Sequence, residues 1–158
     1  MITAIFTAHK NRDLTHVIFN KPVYMVSEKG KDLTGPEAHG AASIDRTYLK
    51  TSIEIINASN HNRGYYDYQI YIITGKRKIY LNNKHNNSSG NLGERSHHTL
   101  IYEGECNEYF DTETDFKVII SVKLVKRRLL PFFMYKVKRK SIKRVLWGSA
   151  PDHVLTAL

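Results

Sequence analysis

The sequence predicts an α+β fold: one antiparallel sheet packed against one main helix, followed by a basic carboxyl-terminal segment. Three observations predict it. Residues 116–126 place Phe116, Val118, Ile120, Val122 and Leu124 on one side and three polar or basic residues on the other, as a half-buried strand does. Residues 65–74 are rich in tyrosine and isoleucine and lead through Gly75 into a second short β-like run. Residues 43–58 place Ile44, Tyr48, Ser52, Ile55 and Ile56 near one face at helical spacing.

Each element follows from its residues in order. Residues 14–27 read as one or two strands, with Pro22 marking the break or an edge. Residues 28–42 hold Gly30, Gly35, Pro36 and Gly40 and read as loop. Ser43 is the N-cap expected for the main helix, and the short polar run 57–60 its expected end. Along the 65–74 strand, Tyr66, Tyr68, Ile70 and Ile72 fall on one face, and Asp67, Gln69 and Tyr71 on the other. Arg77 to Leu81 returns as the second arm of a hairpin. Residues 82–96 contain a single apolar residue, Leu92, and read as a long surface loop. A strand is expected at 97–103, and an acidic connection to residue 115. The 116–126 strand directs Phe116, Val118, Ile120, Val122 and Leu124 one way, and Lys117, Ser121 and Lys123 the other, with Ile119 and Val125. A short helix is expected at 141–147. These readings divide the chain into a core at 1–126 and a basic, partly apolar segment at 127–158.

The chain has 158 residues, a size that fits one domain, and 41% of them are hydrophobic, enough for a core. Cys106 is the only cysteine, so an intrachain disulfide is excluded. No apolar run approaches the roughly 18 residues of a spanning helix. The first ten residues lack a basic segment ahead of their apolar stretch and do not read as a secretory signal.

Charge is distributed unevenly. Residues 1–116 carry 13 Lys+Arg against 14 Asp+Glu, whereas residues 117–158 carry 11 against Asp152 alone. Such asymmetry points to a polyanionic partner, either nucleic acid or an anionic membrane surface. The expected polyanion-binding residues are Lys76, Arg77, Lys78, Lys123, Lys126, Arg127, Arg128, Lys136, Lys138, Arg139, Lys140, Lys143 and Arg144. Tyr71 and Tyr80 flank the first of these groups, and Phe132, Phe133 and Tyr135 precede the later one. Interleaved rings and cations can stack bases and hold phosphates, or sit at a lipid interface. Leu129, Leu130, Phe132, Phe133 and Met134 are the expected membrane or partner contact.

Catalytic motifs are incomplete. His97-His98-Thr99-Leu100 matches the His-x-Thr element of two-histidine phosphoesterases, which need a second copy that is absent here. Glu103-Gly-Glu105 matches the Glu-x-Glu of some ADP-ribosyltransferases without their other elements. Thr74-Gly-Lys-Arg-Lys lacks the upstream glycine of a phosphate loop. His97, His98 and Cys106 fit no zinc spacing. No cofactor or metal is expected, and enzymatic activity is not the favoured reading.

Three features resemble rhabdovirus matrix proteins across roughly residues 40–126. Arg46-Thr-Tyr48 leads into the expected helix; the helix hands over to the 65–74 strand and its basic turn; an acidic connection at 107–115 precedes the long strand. The resemblance implies a self-associating structural protein of virion and host cytoplasm. Such a protein bridges ribonucleoprotein and the inner, anionic face of the envelope. The chain lacks the Lys-rich amino terminus and the PPxY motif usual in animal-virus members. The alternative reading is a viral or phage nucleic-acid-binding protein, possibly a nuclease or an inhibitor of host defence.

Overall fold

Two antiparallel sheets face one another in a computed structural model that describes residues 14–20, 22–30, 44–125 and 135–148. In chain order the strands are β1 (Thr15–Phe19), β2 (Tyr24–Glu28), β3 (Arg46–Asn57), β4 (Arg63–Thr74), β5 (Arg77–Tyr80), β6 (Asn82–Asn83), β7 (Gly90–Leu92), β8 (Ser96–Cys106), β9 (Lys117–Val125), β10 (Tyr135–Ile142) and β11 (Leu146–Trp147). The first sheet runs β11-β2-β3-β8-β6, and β1 pairs with the far half of β3 beyond β2. The second runs β10-β9-β4-β5, with β7 on β4 beside β5. All pairings are antiparallel except β11 with β2.

No helix occurs among the described residues, so the expected α+β class is replaced by a β-sandwich. The expected helix at 43–58 is β3. Its inward row is Thr47, Leu49, Thr51, Ile53, Ile55 and Asn57, all buried, at a period of two. The helical spacing of Ile44, Tyr48, Ser52 and Ile56 is coincidental, because those residues share the opposite, less buried side. Threonine and isoleucine also favour the pleat over a helix, where their branched Cβ loses freedom. The expected helix at 141–147 is likewise absent: Ile142 ends β10, and Leu146 and Trp147 form β11.

The expected surface loop at 82–96 is largely tied down. Leu92 is fully buried, β7 pairs with Arg63–Tyr65, and β6 pairs with Gly104 and Glu105. Asparagine makes this possible without apolar residues. Asn87 donates to the Ile101 carbonyl at 2.6 Å, and the Lys84 amide donates to the Glu103 carbonyl at 2.7 Å. The remaining strands lie close to expectation, and Pro22 falls in the break between β1 and β2.

Apolar side chains from both inner faces merge into one core. It joins Met25, Leu49, Ile53 and Ile55 of the first sheet to Ile70, Ile72, Val118, Ile120 and Val122 of the second. Tyr68 and Tyr102 reach across it. Tyr68 donates to the Leu100 carbonyl at 3.4 Å and Tyr102 to the Leu81 carbonyl at 2.8 Å. Their rings meet edge to face at 5.5 Å, a geometry favoured by the aromatic quadrupole. Burial raises both phenols, Tyr102 to about 12. Buried Asn57 satisfies its amide completely: it donates to the carbonyls of His61 and Gly93 and accepts from the amide and hydroxyl of Ser59. That cluster closes the turn between β3 and β4.

The 107–116 connection is pinned by a chain of hydroxyls. The Phe110 amide donates to Ser27 Oγ, Ser27 and Thr47 share a 2.6 Å bond, and Thr47 Oγ1 donates to the Glu108 carbonyl. Phe110 then packs on Phe116, which packs on Trp147 of β11. The carboxyl-terminal residues 135–148 therefore supply a strand to each sheet.

Gly104 is the tightest point of the β8 side. A Cβ there would lie 2.6 Å from the Tyr102 ring and 3.0 Å from Leu81 Cβ. Replacing Gly104 with alanine is expected to destabilise the protein by about 1–3 kcal/mol, the usual cost of overpacking. Urea unfolding of Gly104→Ala against wild type measures it.

Candidate polyanion interface

Strand pairing turns the outer face of the second sheet into a grid, because residues directly opposed in an antiparallel pair share a face. One row reads Tyr80, Tyr71, Ile119, Ser141 from β5 to β10. The next, toward the β4–β5 turn, reads Lys78, Ile73, Lys117. On the other side come Gln69, Ser121, Arg139, and then Tyr66, Lys123, Val137. Neighbouring strands are ~4.8 Å apart and successive rows ~7 Å. The cations Lys78, Lys117, Lys123 and Arg139 thus share a face with Tyr66, Tyr71 and Tyr80.

Rings and cations on this face touch. Lys78 Nζ lies 3.9 Å from the centre of the Tyr71 ring and 4.5 Å from that of Tyr80. The two rings pack at 5.6 Å. Tyr71 is buried beneath them, whereas Tyr80 is 53% exposed. Lys123 Nζ lies 5.6 Å from the Tyr66 ring centre and 2.6 Å from Asp67 Oδ2. Asp67 is the carboxylate in contact with a cation of the grid; Asp115, exposed two residues before Lys117, continues that side of β9 beyond the strand.

A bulge produced this arrangement. Between Tyr66 and Gln69 the β4–β9 register shifts, and Asp67 takes a φ of 56°. The strict alternation expected for residues 65–74 put Tyr66 on the buried side with Tyr68. The extra residue returns Tyr66 to the outer face while Tyr68 stays inside. Asp is among the few residues that tolerate this backbone region, and it is the sole trace of the bulge in the sequence.

The expected polyanion-binding residues divide. Lys78, Lys123 and Arg139 meet on the outer face, and Lys76 projects from the hairpin turn beside them. Arg77 faces the other way and pairs with Glu108. Lys136, Lys138 and Lys140 oppose Leu124, Val122 and Ile120, so they form an inward row at the end of the second sheet. Inward charges on a terminal strand block pairing with another chain's edge, a structural use for part of the basic segment. Exposed Lys143 and Arg144 lie in the link from β10 to β11. Lys126, Arg127, Arg128, Leu129, Leu130, Phe132, Phe133 and Met134 lie outside the described residues. The grid adds Lys117, Tyr66 and Asp67 to the expected site; alternation alone already placed Lys117 on the face.

The first sheet's outer face is different in kind. Lys50 pairs with Glu103 at 2.8 Å, Lys84 with Glu105 at 3.3 Å, and His97 with Glu54 at 3.1 Å. Glu103 and Glu105 therefore belong to strand β8 rather than to an acidic turn. His97 lies six residues from Glu103 along β8, about 20 Å at ~3.3 Å per residue, and His98 points to the opposite side. The histidine and Glu-x-Glu motifs do not converge. Among the described residues no group of His, Cys, Asp and Glu could hold a metal. Cys106 is buried, which raises its thiol. No helix of the described residues is long and apolar enough to cross a membrane.

No family model matches the chain, and no curated protein matches it.

Glu103 anchors the first face electrostatically. Its hydrogen bond from Lys50 is the largest of several effects that hold its carboxyl below the ordinary value. The Tyr48 phenol is pushed up to about 12, chiefly by burial and then by its bond to Glu103. A carboxyl depressed in the folded state stabilises above its unfolded pKa, and loses that contribution as pH falls through the folded one. Glu103→Gln is therefore expected to cost up to about 1 kcal/mol at pH 7, and progressively less in acid below the ordinary carboxylate range. Urea unfolding at pH 7 and pH 3 checks the convergence.

Proposed function

We propose that the chain is a nucleic-acid-binding protein that holds a single strand, without catalysis, across the outer face of the second sheet. One observation carries this reading: four cations share one sheet face with three tyrosines, among them exposed Tyr80, and of the carboxylates only Asp67 forms an ion pair with them among the described residues. Lys78, Lys117 and Arg139 would neutralise backbone phosphates, releasing condensed counterions, with Lys123 beside them in contact with Asp67. Tyr80, exposed at the margin of the face, offers a ring on which a base can stack irrespective of its identity. A duplex hides its base faces, so such a ring has value only toward an unpaired strand.

Lipid is the weaker fit to this face. Insertion into a headgroup layer needs protruding apolar side chains, and the exposed aliphatic residue of the grid is Val137. The more exposed aliphatic residues of the strands, Ile18, Ile101 and Leu146, lie on the other sheet. The matrix-like role read from the sequence, with self-association beneath an anionic membrane, stays compatible through its ribonucleoprotein half. Its membrane half rests on residues 129–134, outside the described residues. One of the features behind that resemblance, the helix after Arg46-Thr-Tyr48, is strand β3.

Fluorescence anisotropy with a labelled single-stranded oligonucleotide, across a salt series, tests the proposal. Lys78, Lys117 and Arg139, which form no ion pair among the described residues, predict a log–log salt slope of about −2. Tyr80→Ala is expected to weaken binding by about 1–3 kcal/mol with the slope unchanged. Combined Lys78→Ala, Lys117→Ala and Arg139→Ala is expected to flatten the slope by about 2. No salt-dependent binding, or variants indistinguishable from wild type, would falsify the reading.

A further inference from the structure

We infer that Asp67 is a built-in competitor for this face: its carboxylate occupies Lys123 in place of a phosphate and sets the affinity for the bound strand. The inference rests on the nucleic-acid reading above and adds how that site is tuned.

Three observations meet at this residue. The first is position. Asp67 is the extra residue of the β4 bulge, so it has no opposed partner in β9, and it emerges on the face where the cations are gathered. The second is contact. Its carboxylate lies 2.6 Å from Lys123 Nζ, and both side chains remain about one-third exposed, at 35% and 30%. A pair at that depth forms a charge-assisted bond yet stays within reach of an incoming anion. The third is conformation. The backbone φ of 56° at Asp67 lies in the left-handed region, where glycine and asparagine are at least as well accommodated as aspartate. The fold requires a bulge there, but it does not require a negative charge.

The geometry also gives the mode of action. A carboxylate oxygen on an ammonium at 2.6 Å is the contact that a phosphate oxygen would make. A strand crossing the grid must displace Asp67 from Lys123 or lie against an uncompensated negative charge. In either case binding is weakened, and the loss is electrostatic. Removing the charge raises the positive potential of the whole face, whatever else Lys123 touches. Lys78, by contrast, is oriented by the rings of Tyr71 and Tyr80, which leave its charge intact.

Asparagine isolates the charge, because it retains the side-chain shape and the backbone preference. Asp67→Asn is expected to bind a single-stranded oligonucleotide about three- to tenfold more tightly at low salt, with a slope steeper by about 0.7. Asp67→Gly, which also suits the left-handed backbone, should show the same direction. Thermal unfolding of both variants should match or exceed wild type, which separates an electrostatic change from a damaged bulge. Unchanged or weaker binding by both variants, with folding intact, overturns the role of Asp67 while leaving the interface standing. Absence of binding by wild type and variants alike at every salt concentration overturns the interface reading, and the competitor with it.

Discussion

The reciprocal contact of Tyr68 and Tyr102 is the constraint on which the rest of the molecule turns. Each ring leaves one sheet, crosses the core and delivers its hydroxyl to a backbone carbonyl on or beside the opposite layer. A buried phenol without such a partner would cost about 1–3 kcal/mol, so two carbonyls must sit where the hydroxyls arrive. That requirement fixes how the sheets are offset. It also fixes β4, because Tyr68 must point inward although Tyr65, three residues earlier, does so too. Two inward residues at odd spacing demand one residue out of phase, and the bulge at Asp67 provides it. The Tyr68 amide, freed from regular pairing, donates to the Ser88 carbonyl at 3.0 Å. The composition of the outer face is therefore a by-product of core packing: Tyr66 and Asp67 stand beside Lys123 because Tyr68 does not.

Net charge is a poor guide to where the charge acts. The carboxyl-terminal excess of cations is real, yet the fold distributes it over several tasks. The lysines of β10 stand on the inward side of a terminal strand, and Arg77 is committed to Glu108, itself held by the hydroxyl chain from Thr47 and Ser27. The cations of the second sheet's outer face come from β5, β9 and β10 together. Two of those strands lie more than thirty residues apart in sequence. Pairing through β4 makes them neighbours, and sequence proximity does not.

Much of the architecture was legible where one side of a strand is buried and the other is not. The 116–126 strand is the clearest case, since its alternating row Phe116 to Leu124 is the row that the core buries. The β4–β5 hairpin was legible through Gly75, whose φ of 55° suits it to the turn. The 43–58 segment misled because two periodicities overlap in it. Thr47, Thr51 and Asn57 are buried polar residues, so an apolar count ignores half of the inward row and favours the helical reading. The polar run at 57–60 reads as the end of a helix but ends strand β3, because asparagine terminates strands and helices by the same competition for backbone groups. The 82–96 segment misled for a related reason: its order comes from asparagine side chains bonded to backbone, which no hydropathy pattern registers. The site was half legible. Alternation exposed Lys117 and Lys123, whereas the placement of Tyr66 depended on a bulge whose cause lies across the core, in Tyr102.

The two outer faces then differ in a way that pairing explains better than composition does. On the first sheet, long side chains of opposite sign stand directly across from one another, as Lys50 and Glu103 do in the β3–β8 register. Cross-strand pairs of that kind satisfy each other and leave little field beyond the surface. On the second sheet the partners across the register are tyrosine, isoleucine, serine and valine, which cannot neutralise a cation. Rings hold Lys78 in place but leave its charge unbalanced. An ammonium positioned by aromatic rings keeps its long-range attraction for anions, whereas one positioned by a carboxylate loses most of it. The bulge places the Asp67 carboxylate against Lys123 on this face. What distinguishes the two faces is where charges of opposite sign stand across the strands, rather than the total number of lysines and arginines.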